Sequence, residues 1–294
     1  MAAIPIDGTK IANEVKEEVV QEAVEFKNKY GFPPCLDVIL VGNDPASKIY
    51  VERKAKACQE CGIVSIIHKF NEVAQQELEN QISILSQNAD VHGILVQLPL
   101  TKNIKENLVL NKINPLKDVD VLTSENIGLL IQGQPRFLPC TPHGIQVMLK
   151  SIGYSTKGKH VVVINRSRIV GVPLSSMLIQ DNGEYANATV TVCHNETNQQ
   201  ELANISKSGD VIVVAVGIPD FLKSNMVKKD AVVIDVGINR LESGKIVGDC
   251  HKSVWNQASF VSKVPGGCGP LTITMLLKNT VQAAKYCMNH LNFN

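Results

Sequence analysis

Three side chains suited to acid–base chemistry lie within eight residues of one another, as Ser47, Tyr50 and Lys54. Spacings of three and four residues place side chains on one face of a helix. A lysine beside an aromatic ring in a cleft can have its pKa lowered by desolvation, which lets it exchange protons. Taken alone, the same pattern also describes a solvated lysine next to a half-buried tyrosine, because surface lysines are common.

Further polar residues follow in the same half of the chain. Gln97 lies near the carboxyl end of the apolar segment GILVQLPL, where a carboxamide needs a partner: a ligand, the lysine ammonium or the backbone. Lys117-Asp118-Val119-Asp120 carries two carboxylates at alternating positions. They could share a metal, or one could hold a donor-rich heterocycle through two parallel N–H bonds. Viewed in isolation, this segment is typical of a charged turn.

The second half of the chain contains a strand that turns into a helix, VVVINRSRIVGVP (161–173). It lacks the G-x-G-x-x-G pattern of many dinucleotide sites. It still offers backbone N–H groups at a helix start, a glycine at 171, and Arg166 as a phosphate ligand. An arginine just past a strand end favours a 2′-phosphate, and so predicts NADP rather than NAD.

A glycine-rich loop, VPGGCGPLT (264–272), precedes the last helical pattern. Gly266, Gly267 and Gly269 expose backbone with little side chain, so a ring system or a phosphate can approach closely. The alternative interpretation is a tight connection into the final helix.

Alternating strand and helix patterns must position these residues. Predicted strands are 36–42, 63–68, 93–100, 160–165, 188–194, 210–217 and 231–239. Predicted helices are 11–26 ending at Gly31, 45–62 capped by Asp44, 74–88, 142–152, 171–180, 198–206 and one after 270. This alternation predicts two doubly wound α/β lobes flanking a cleft, the second a Rossmann-like nucleotide-binding domain. The predicted domains are 1–148 and 149–270, with helix 271–294 packing back on the first.

Composition excludes several classes of protein. Lys and Arg total 29 against 28 Asp and Glu, so no basic excess supports nucleic-acid binding. No apolar run reaches the roughly 18–20 residues that cross a bilayer.

The chain has eight scattered cysteines, of which only Cys58 and Cys61 form a C-x-x-C motif. No second pair of metal ligands accompanies this motif, so we predict free thiols and no metal site. The scatter and the start of the chain predict the cytoplasm, or a mitochondrion if a presequence has been removed.

The chain resembles the bifunctional methylenetetrahydrofolate dehydrogenase/methenyltetrahydrofolate cyclohydrolase family over nearly its whole length. The matching segments, in order, are IDGTKIA, VGNDPASKIYVERKAKACQECGI, HGILVQLPL, NPLKDVD, PCTPHGI, INRSRIVGVPLSSML, ATVTVCHNET, DVIVVAVGIP, VVIDVGIN and VPGGCGPLTITMLLKNT. Their order and spacing are far more specific than any single motif.

The resemblance implies binding of tetrahydrofolate derivatives and NADP, with NAD possible, in a homodimer formed through the nucleotide-binding lobe. It implies that cyclohydrolase chemistry depends on Lys54, that Tyr50 stacks on the folate, that Gln97 holds lysine and ligand in register, and that Asp120 binds the pterin edge. The implied substrate contacts also include Ser47, Val96, Leu98, Pro265, Gly266 and Gly267. The implied coenzyme contacts are Asn165, Arg166, Ser167, His194, Asn195, Gly217 and Ile238.

Four positions depart from the family pattern. Asn165 stands where glycine is frequent, and asparagine tolerates a positive φ, although its side chain takes up space near the coenzyme. Val121 stands where glycine is usual, Lys263 replaces a common proline and adds a positive charge near the cleft, and Asn195 replaces serine.

These departures and the coarse fold leave three alternative functions open. They are a folate-binding relative with one of the two activities, an NAD-preferring dehydrogenase, and a two-lobed dehydrogenase acting on an amino or hydroxy acid. The third alternative does not explain the helix that carries Tyr50 and Lys54, or the segment Pro265-Gly266-Gly267, which we call the PGG loop.

Overall fold

The structure, a computed structural model, describes residues 2–291. Residue contacts divide the chain into two compact α/β units. The chain up to Asn13 and Thr141–Thr272 form the first, which we call the six-stranded unit after its sheet. Glu14–Cys140 and the chain from Ile273 onward form the second, which we call the three-stranded unit. Positions 292–294 of the predicted last helix lie outside the described residues.

Strands and helices alternate along the described residues. The strands are β1 (Ile4–Ile6), β2 (Cys35–Val41), β3 (Val64–Phe70), β4 (Gly93–Val96), β5 (His160–Ile164), β6 (Thr189–Cys193), β7 (Val211–Val214), β8 (Val232–Asp235), β9 (Asn239–Arg240), β10 (Ile246–Val247) and β11 (Phe260–Ser262). The α-helices are α1 (Gly8–Tyr30), α2 (Pro45–Glu60), α3 (Gln75–Gln87), α4 (Glu106–Leu110), α5 (Ser124–Ile131), α6 (Cys140–Ser151), α7 (Gly171–Ile179), α8 (Gln199–Ser208) and α9 (Cys268–Leu291). Two short 3-10 helices cover Ser224–Met226 and Lys252–Asn256.

The three-stranded unit has a parallel sheet of order β3-β2-β4. The central strand β2 is buried at every residue, which explains its unbroken apolar run. One core cluster joins residues of β2 and β4 to Leu78 and Ile82 of α3. At the carboxyl edge of this sheet, β2 leads into α2 and β4 leads into Gln97.

The six-stranded unit has a parallel sheet of order β1-β11-β8-β7-β5-β6. The strand order reverses at β5, which pairs with β6 on one side and β7 on the other. In open α/β sheets, ligands bind outside the carboxyl ends of the strands at such a reversal. The segments after β5 and β7 are therefore the expected ligand-binding loops of this unit.

The predicted α/β class with two parallel sheets is confirmed, while several element bounds are corrected. Strand β4 ends at Val96 rather than at residue 100, because Pro99 has no N–H for a strand ladder. Sequence patterns did not predict β1, β11, the β9–β10 hairpin, α4 or α5, which are all short. Within residues 2–291, no helix has the length and apolar character that crossing a membrane requires.

Candidate active site

Helix α2 is started by a side-chain cap, which fixes the helix face on which Lys54 lies. The Asp44 carboxylate accepts hydrogen bonds from the Ser47 N–H and hydroxyl, each at 2.8 Å, and Pro45 begins the helix. Ser47 and Lys54 are both buried on this helix, with Lys54 only 8% exposed. The solvated-lysine interpretation is therefore wrong for Lys54.

Gln97 is the hydrogen-bond partner of this buried lysine. Lys54 Nζ donates to Gln97 Oε1 at 3.0 Å. Gln97 Nε2 donates to the Leu98 carbonyl at 2.7 Å, and the Gln97 N–H donates to the Ile39 carbonyl at 2.9 Å. Because the amide nitrogen is held by a carbonyl, the amide oxygen must face the ammonium. This strand end therefore orients Lys54.

Tyr50 and Asp120 complete the predicted set in this unit. Burial raises the pKa of Tyr50, so its phenol stays protonated near neutral pH. Burial raises the pKa of Cys140 well above its usual value, the Asp120 carboxylate raises it further, and the Lys54 ammonium opposes both effects. The Asp120 carboxylate thus lies beside the Cys140 thiol, and the Lys54 ammonium acts on the same thiol electrostatically.

The other two charged residues of the 117–120 segment have structural roles. The Asp118 carboxylate accepts hydrogen bonds from Leu122 N–H, from Thr123 N–H and hydroxyl, and from Asn126 Nδ2, all at 2.7–3.0 Å. Lys117 is buried and donates to the Asn88 carbonyl, just past the end of α3, at 2.6 Å. A charged turn describes these two residues, whereas Asp120 forms none of these bonds.

Val121 has a φ of +62° although it is β-branched and fully buried. A left-handed backbone costs such a residue of the order of 1–2 kcal/mol. Burial of the valine side chain offsets the strain.

Not all predicted substrate contacts offer a side chain. Val96 is 2% exposed and belongs to the core cluster of the three-stranded unit. Leu98 is half-buried against the same cluster. The Val96 side chain therefore offers no surface to a ligand.

Asn165 organises the turn that follows β5. Asn165 Oδ1 accepts from Ser167 N–H, Ser167 Oγ and Gly171 N–H at 2.7–2.9 Å, and its Nδ2 donates to the Ala215 carbonyl at 2.5 Å. Its φ is not positive, so this turn does not need the tolerance of asparagine for a left-handed backbone. Its side chain is bonded inside the turn.

Arg166 lies exposed just after Asn165, at the reversal of the strand order. Its guanidinium donates to Asn195 Oδ1 at 2.7 Å, and Asn195 Nδ2 donates to Glu196 Oε1 at 2.7 Å. His194 precedes Asn195, and its N–H donates to Thr197 Oγ1 at 3.0 Å. At the ends of β5 and β6, the Arg166 guanidinium is thus oriented by the Asn195 amide.

Two buried aspartates, which the sequence analysis did not identify, shape the neighbouring loops. Asp249 is fully buried, and its carboxylate accepts from three successive N–H groups after β7, those of Val216 (2.6 Å), Gly217 (3.0 Å) and Ile218 (3.0 Å). It also accepts from Asn239 Nδ2 at 2.8 Å. The only available sequence signal was an aspartate after a glycine in VGDC.

Asp235, at the end of β8, is the second of these aspartates. Its carboxylate accepts from the N–H groups of Gly237, Asp249 and Cys250 at 2.9–3.0 Å. Burial raises its pKa, and the nearby Asp249 raises it further. A Cβ at Gly248 would lie 2.0 Å from the Asp235 carboxylate, so that position requires glycine.

The PGG loop is held by the start of the chain. Gly266, with a φ of +97°, accepts from the Thr9 N–H at 2.9 Å. A Cβ at Gly8 would lie 2.1 Å from the Gly267 carbonyl oxygen, so the two backbones touch. Lys263 Nζ donates to Asp7 Oδ2 at 2.6 Å. The predicted extra charge at Lys263 is therefore paired.

The predicted residues thus form separate groups within each unit. Lys54, Tyr50, Gln97 and Asp120 lie in the three-stranded unit, whereas the turn residues and the PGG loop lie in the six-stranded unit. Ile238 is 47% exposed and follows β8. The fold and these groups define a class of protein: a two-unit α/β enzyme that combines a buried lysine site with a Rossmann-like nucleotide-binding sheet.

Comparisons with known proteins identify the family. Residues 6–120 match the model of the tetrahydrofolate dehydrogenase/cyclohydrolase catalytic domain, and residues 139–288 match that of its NAD(P)-binding domain. The chain therefore belongs to the tetrahydrofolate dehydrogenase/cyclohydrolase family, and the predicted family and enzyme class are confirmed.

Relatives in bacteria and in a protozoan are similar over nearly the whole chain. Bifunctional protein FolD of Campylobacter hominis is 51% identical over 282 residues, covering 95% of this chain and 96% of the relative. The crystal structure of FolD from Campylobacter jejuni has a TM-score of 0.92 at 46% identity, covering 97% of this chain and 99% of that one. The Trypanosoma brucei enzyme, crystallised with NADP and an inhibitor, has a TM-score of 0.92 at 34% identity, covering 98% and 99%.

Proposed function

We propose that this chain oxidises 5,10-methylenetetrahydrofolate to 5,10-methenyltetrahydrofolate with NADP, and hydrolyses the product to 10-formyltetrahydrofolate at Lys54. Family membership supports the two reactions. The observation that carries the assignment to Lys54 is its 3.0 Å bond to a Gln97 amide whose orientation is fixed. A buried amine held at one position can transfer protons to and from a bound substrate.

The hydrolysis needs proton transfer at two points. Water attacks the methenyl carbon and loses a proton, and the ring nitrogen must gain a proton when its bond to that carbon breaks. The net reaction consumes one water and releases one proton. Lys54 is the group that we propose moves these protons, with Gln97 holding its Nζ in place. Tyr50 would stack on the folate, and the Asp120 carboxylate would accept N–H bonds from the pterin edge.

The residues of the six-stranded unit fit a nucleotide with an extra phosphate. Arg166 offers an exposed guanidinium beside Ser167 at the switch point of the sheet, which is the donor chemistry that a 2′-phosphate requires. Gly217 has a φ of +70°, and a Cβ there would meet nothing within 4 Å, so bare backbone is open to a ligand. NADP, when bound, supplies the acceptor for the hydride that leaves the methylene carbon.

Replacing Lys54 by methionine tests the assignment of the proton-transfer group. We expect Lys54→Met to abolish hydrolysis of methenyltetrahydrofolate, followed as decay of its absorbance, because the side chain keeps its bulk and loses its amine. Lys56→Met is the matched control, since Lys56 is exposed on the same helix. Hydrolysis by Lys54→Met at the parent rate would exclude this role for Lys54.

Replacing Arg166 by glutamine tests the choice of coenzyme. The loss of a charge-assisted bond to phosphate, about 1.5–3 kcal/mol, predicts an NADP KM raised roughly 10- to 150-fold, with the NAD KM changed less than about threefold. Lys207→Gln, a cation lost from the last turn of α8, is the control. A parent enzyme that turns over NAD faster than NADP at equal concentration would favour the NAD-preferring alternative instead.

We propose a homodimer through the six-stranded unit, because β6 is an edge strand with an exposed Val192, and Val172 and Ile179 of the adjacent α7 are also exposed. Light scattering of the purified protein measures the oligomeric state directly, and a monomeric mass would refute the homodimer.

The bacterial origin of the Campylobacter relatives supports a location in the cytoplasm rather than the mitochondrial alternative.

A further inference from the structure

Asn279 lies on α9, some 160 positions along the chain from Asp120, and is 2% exposed. Its Nδ2 donates to the Val119 carbonyl at 2.8 Å and to the Leu138 carbonyl at 2.9 Å. Because both partners are carbonyl oxygens, the amide nitrogen must be the atom that faces them. One side-chain amide therefore joins two backbone segments that are distant in sequence.

These two segments are the ones that meet around the Asp120 carboxylate. Val119 immediately precedes Asp120, so its carbonyl belongs to the peptide plane that leads into Asp120. Leu138 lies two positions before Cys140, whose thiol lies against the Asp120 carboxylate. The Cys140 thiol also donates to the Val119 carbonyl at 3.5 Å, and Asn279 Nδ2 lies 3.8 Å from Cys140 Sγ. Asn279 is thus bonded to both sides of this contact.

The backbone around Asp120 is held on its other side as well. Asp118 anchors the following residues, Leu122 and Thr123, through its carboxylate. Val121 is held at a φ of +62°, and its N–H donates to the Asp118 carbonyl at 3.3 Å. Without Asn279, the Val119–Asp120 peptide plane would lose its 2.8 Å bond while the strain at Val121 remained.

We infer that Asn279 is a positioning residue that sets the direction of the Asp120 carboxylate for binding of the folate substrate. The inference rests on the proposed role of Asp120 as the group that binds the pterin edge. Asn279 acts through the Val119 peptide and the Cys140 segment. A small displacement of a substrate-binding group lowers turnover and affinity sharply, because bound geometry determines both.

The experiment compares folate KM values in the two reactions. We expect Asn279→Leu to raise the KM for methylenetetrahydrofolate and for methenyltetrahydrofolate about 10- to 100-fold, with the NADP KM unchanged. Thr280→Val is the matched control, since Thr280 is the next residue, is fully buried, and donates within α9 to the Leu276 carbonyl at 2.8 Å. We expect it to lower Tm without changing the folate KM.

The variants Asp120→Asn and Asp120→Asn/Asn279→Leu separate the inference from the function on which it rests. If Asp120→Asn leaves the folate KM unchanged, the proposed role of Asp120 fails, and that of Asn279 fails with it. If Asp120→Asn raises the KM and Asn279→Leu does not, the inference alone is wrong. We expect the double variant to show no further increase, whereas additive increases would exclude the coupling. Asn279→Ala, whose smaller side chain leaves room for water, replaces Asn279→Leu if that variant does not fold.

Discussion

Asp249 is a single carboxylate that holds three successive N–H groups of the loop after β7, and replacing it by asparagine should affect stability and coenzyme binding together. In Asp249→Asn the side chain keeps one acceptor oxygen and gains an NH2 group. Asp249 now accepts hydrogen bonds from four N–H donors. With asparagine, about two of these donors would face its NH2 group instead of an oxygen. The Val216–Ile218 loop would then lose part of its support.

The magnitude follows from these four bonds. Each buried donor left without an acceptor costs about 1–3 kcal/mol, so two cost about 2–6 kcal/mol. Removing the Asp249 charge also relieves its repulsion of Asp235, which offsets about 1 kcal/mol. We therefore expect Asp249→Asn to lower the free energy of unfolding by about 1–5 kcal/mol. We expect the NADP KM to rise about tenfold, because the loop carrying Gly217 is released.

Urea unfolding and steady-state kinetics measure the two effects. Asp210→Asn is the control, since the Asp210 carboxylate also accepts from a backbone N–H, that of His160 at 2.9 Å, but at the amino end of β5. It should leave the NADP KM at the parent value. Hydrolysis of methenyltetrahydrofolate by Asp249→Asn should keep its parent KM. If Asp249→Asn is as stable as the parent protein, these four hydrogen bonds do not contribute the expected stability. If its NADP KM is unchanged, the proposed link between Asp249 and coenzyme binding by the Val216–Ile218 loop is wrong.

Two further predictions concern the three-stranded unit. Burial, together with the nearby Lys117, lowers the pKa of His92 from 6.5 to about 4, so its contribution to stability is complete above pH 6.5 and is lost as the pH falls towards 4. Roughly 2 kcal/mol of this contribution should be lost at about pH 5. Between pH 6.5 and that pH, the free energy of unfolding in urea should therefore fall by about 2 kcal/mol less in His92→Gln than in the parent protein. An unchanged dependence of the free energy of unfolding on pH would contradict this prediction. At Val121 the φ of +62° should make Val121→Gly at least as stable as Val121→Ala. A glycine variant about 1 kcal/mol less stable, as at an ordinary position, would show that the strain is small.

Local patterns in the sequence were sufficient for the main elements. Short-range rules predicted the end of α1 at Gly31, the Asp44-Pro45 start of α2 and the apolar run of β2. The structure confirms all three. The pairing of β1 with β11 could not be predicted in this way, because each strand is three residues long and their partnership spans more than 250 positions.

The functional residues divide in the same manner. Residue type and spacing identified Lys54 and Gln97 as candidates, and the order of motifs identified the family. Residue type and spacing alone did not distinguish Asp118 from Asp120, because both are aspartates in the same short segment, and only the resemblance to the family singled out Asp120. Only the folded chain shows that Asp118 is committed to Leu122, Thr123 and Asn126.

The sequence by itself determined the α/β class and the family and marked Lys54 as a candidate, because periodicity, caps and motif order are local properties of the chain. Tertiary structure alone decided that Lys54 is buried, that Asn165 is turned into its own loop, and that Asn279 and Asp249 hold distant backbone segments. The physical reason is that burial and hydrogen-bond partnership depend on which atoms packing brings together. No rule of spacing along the chain contains that information.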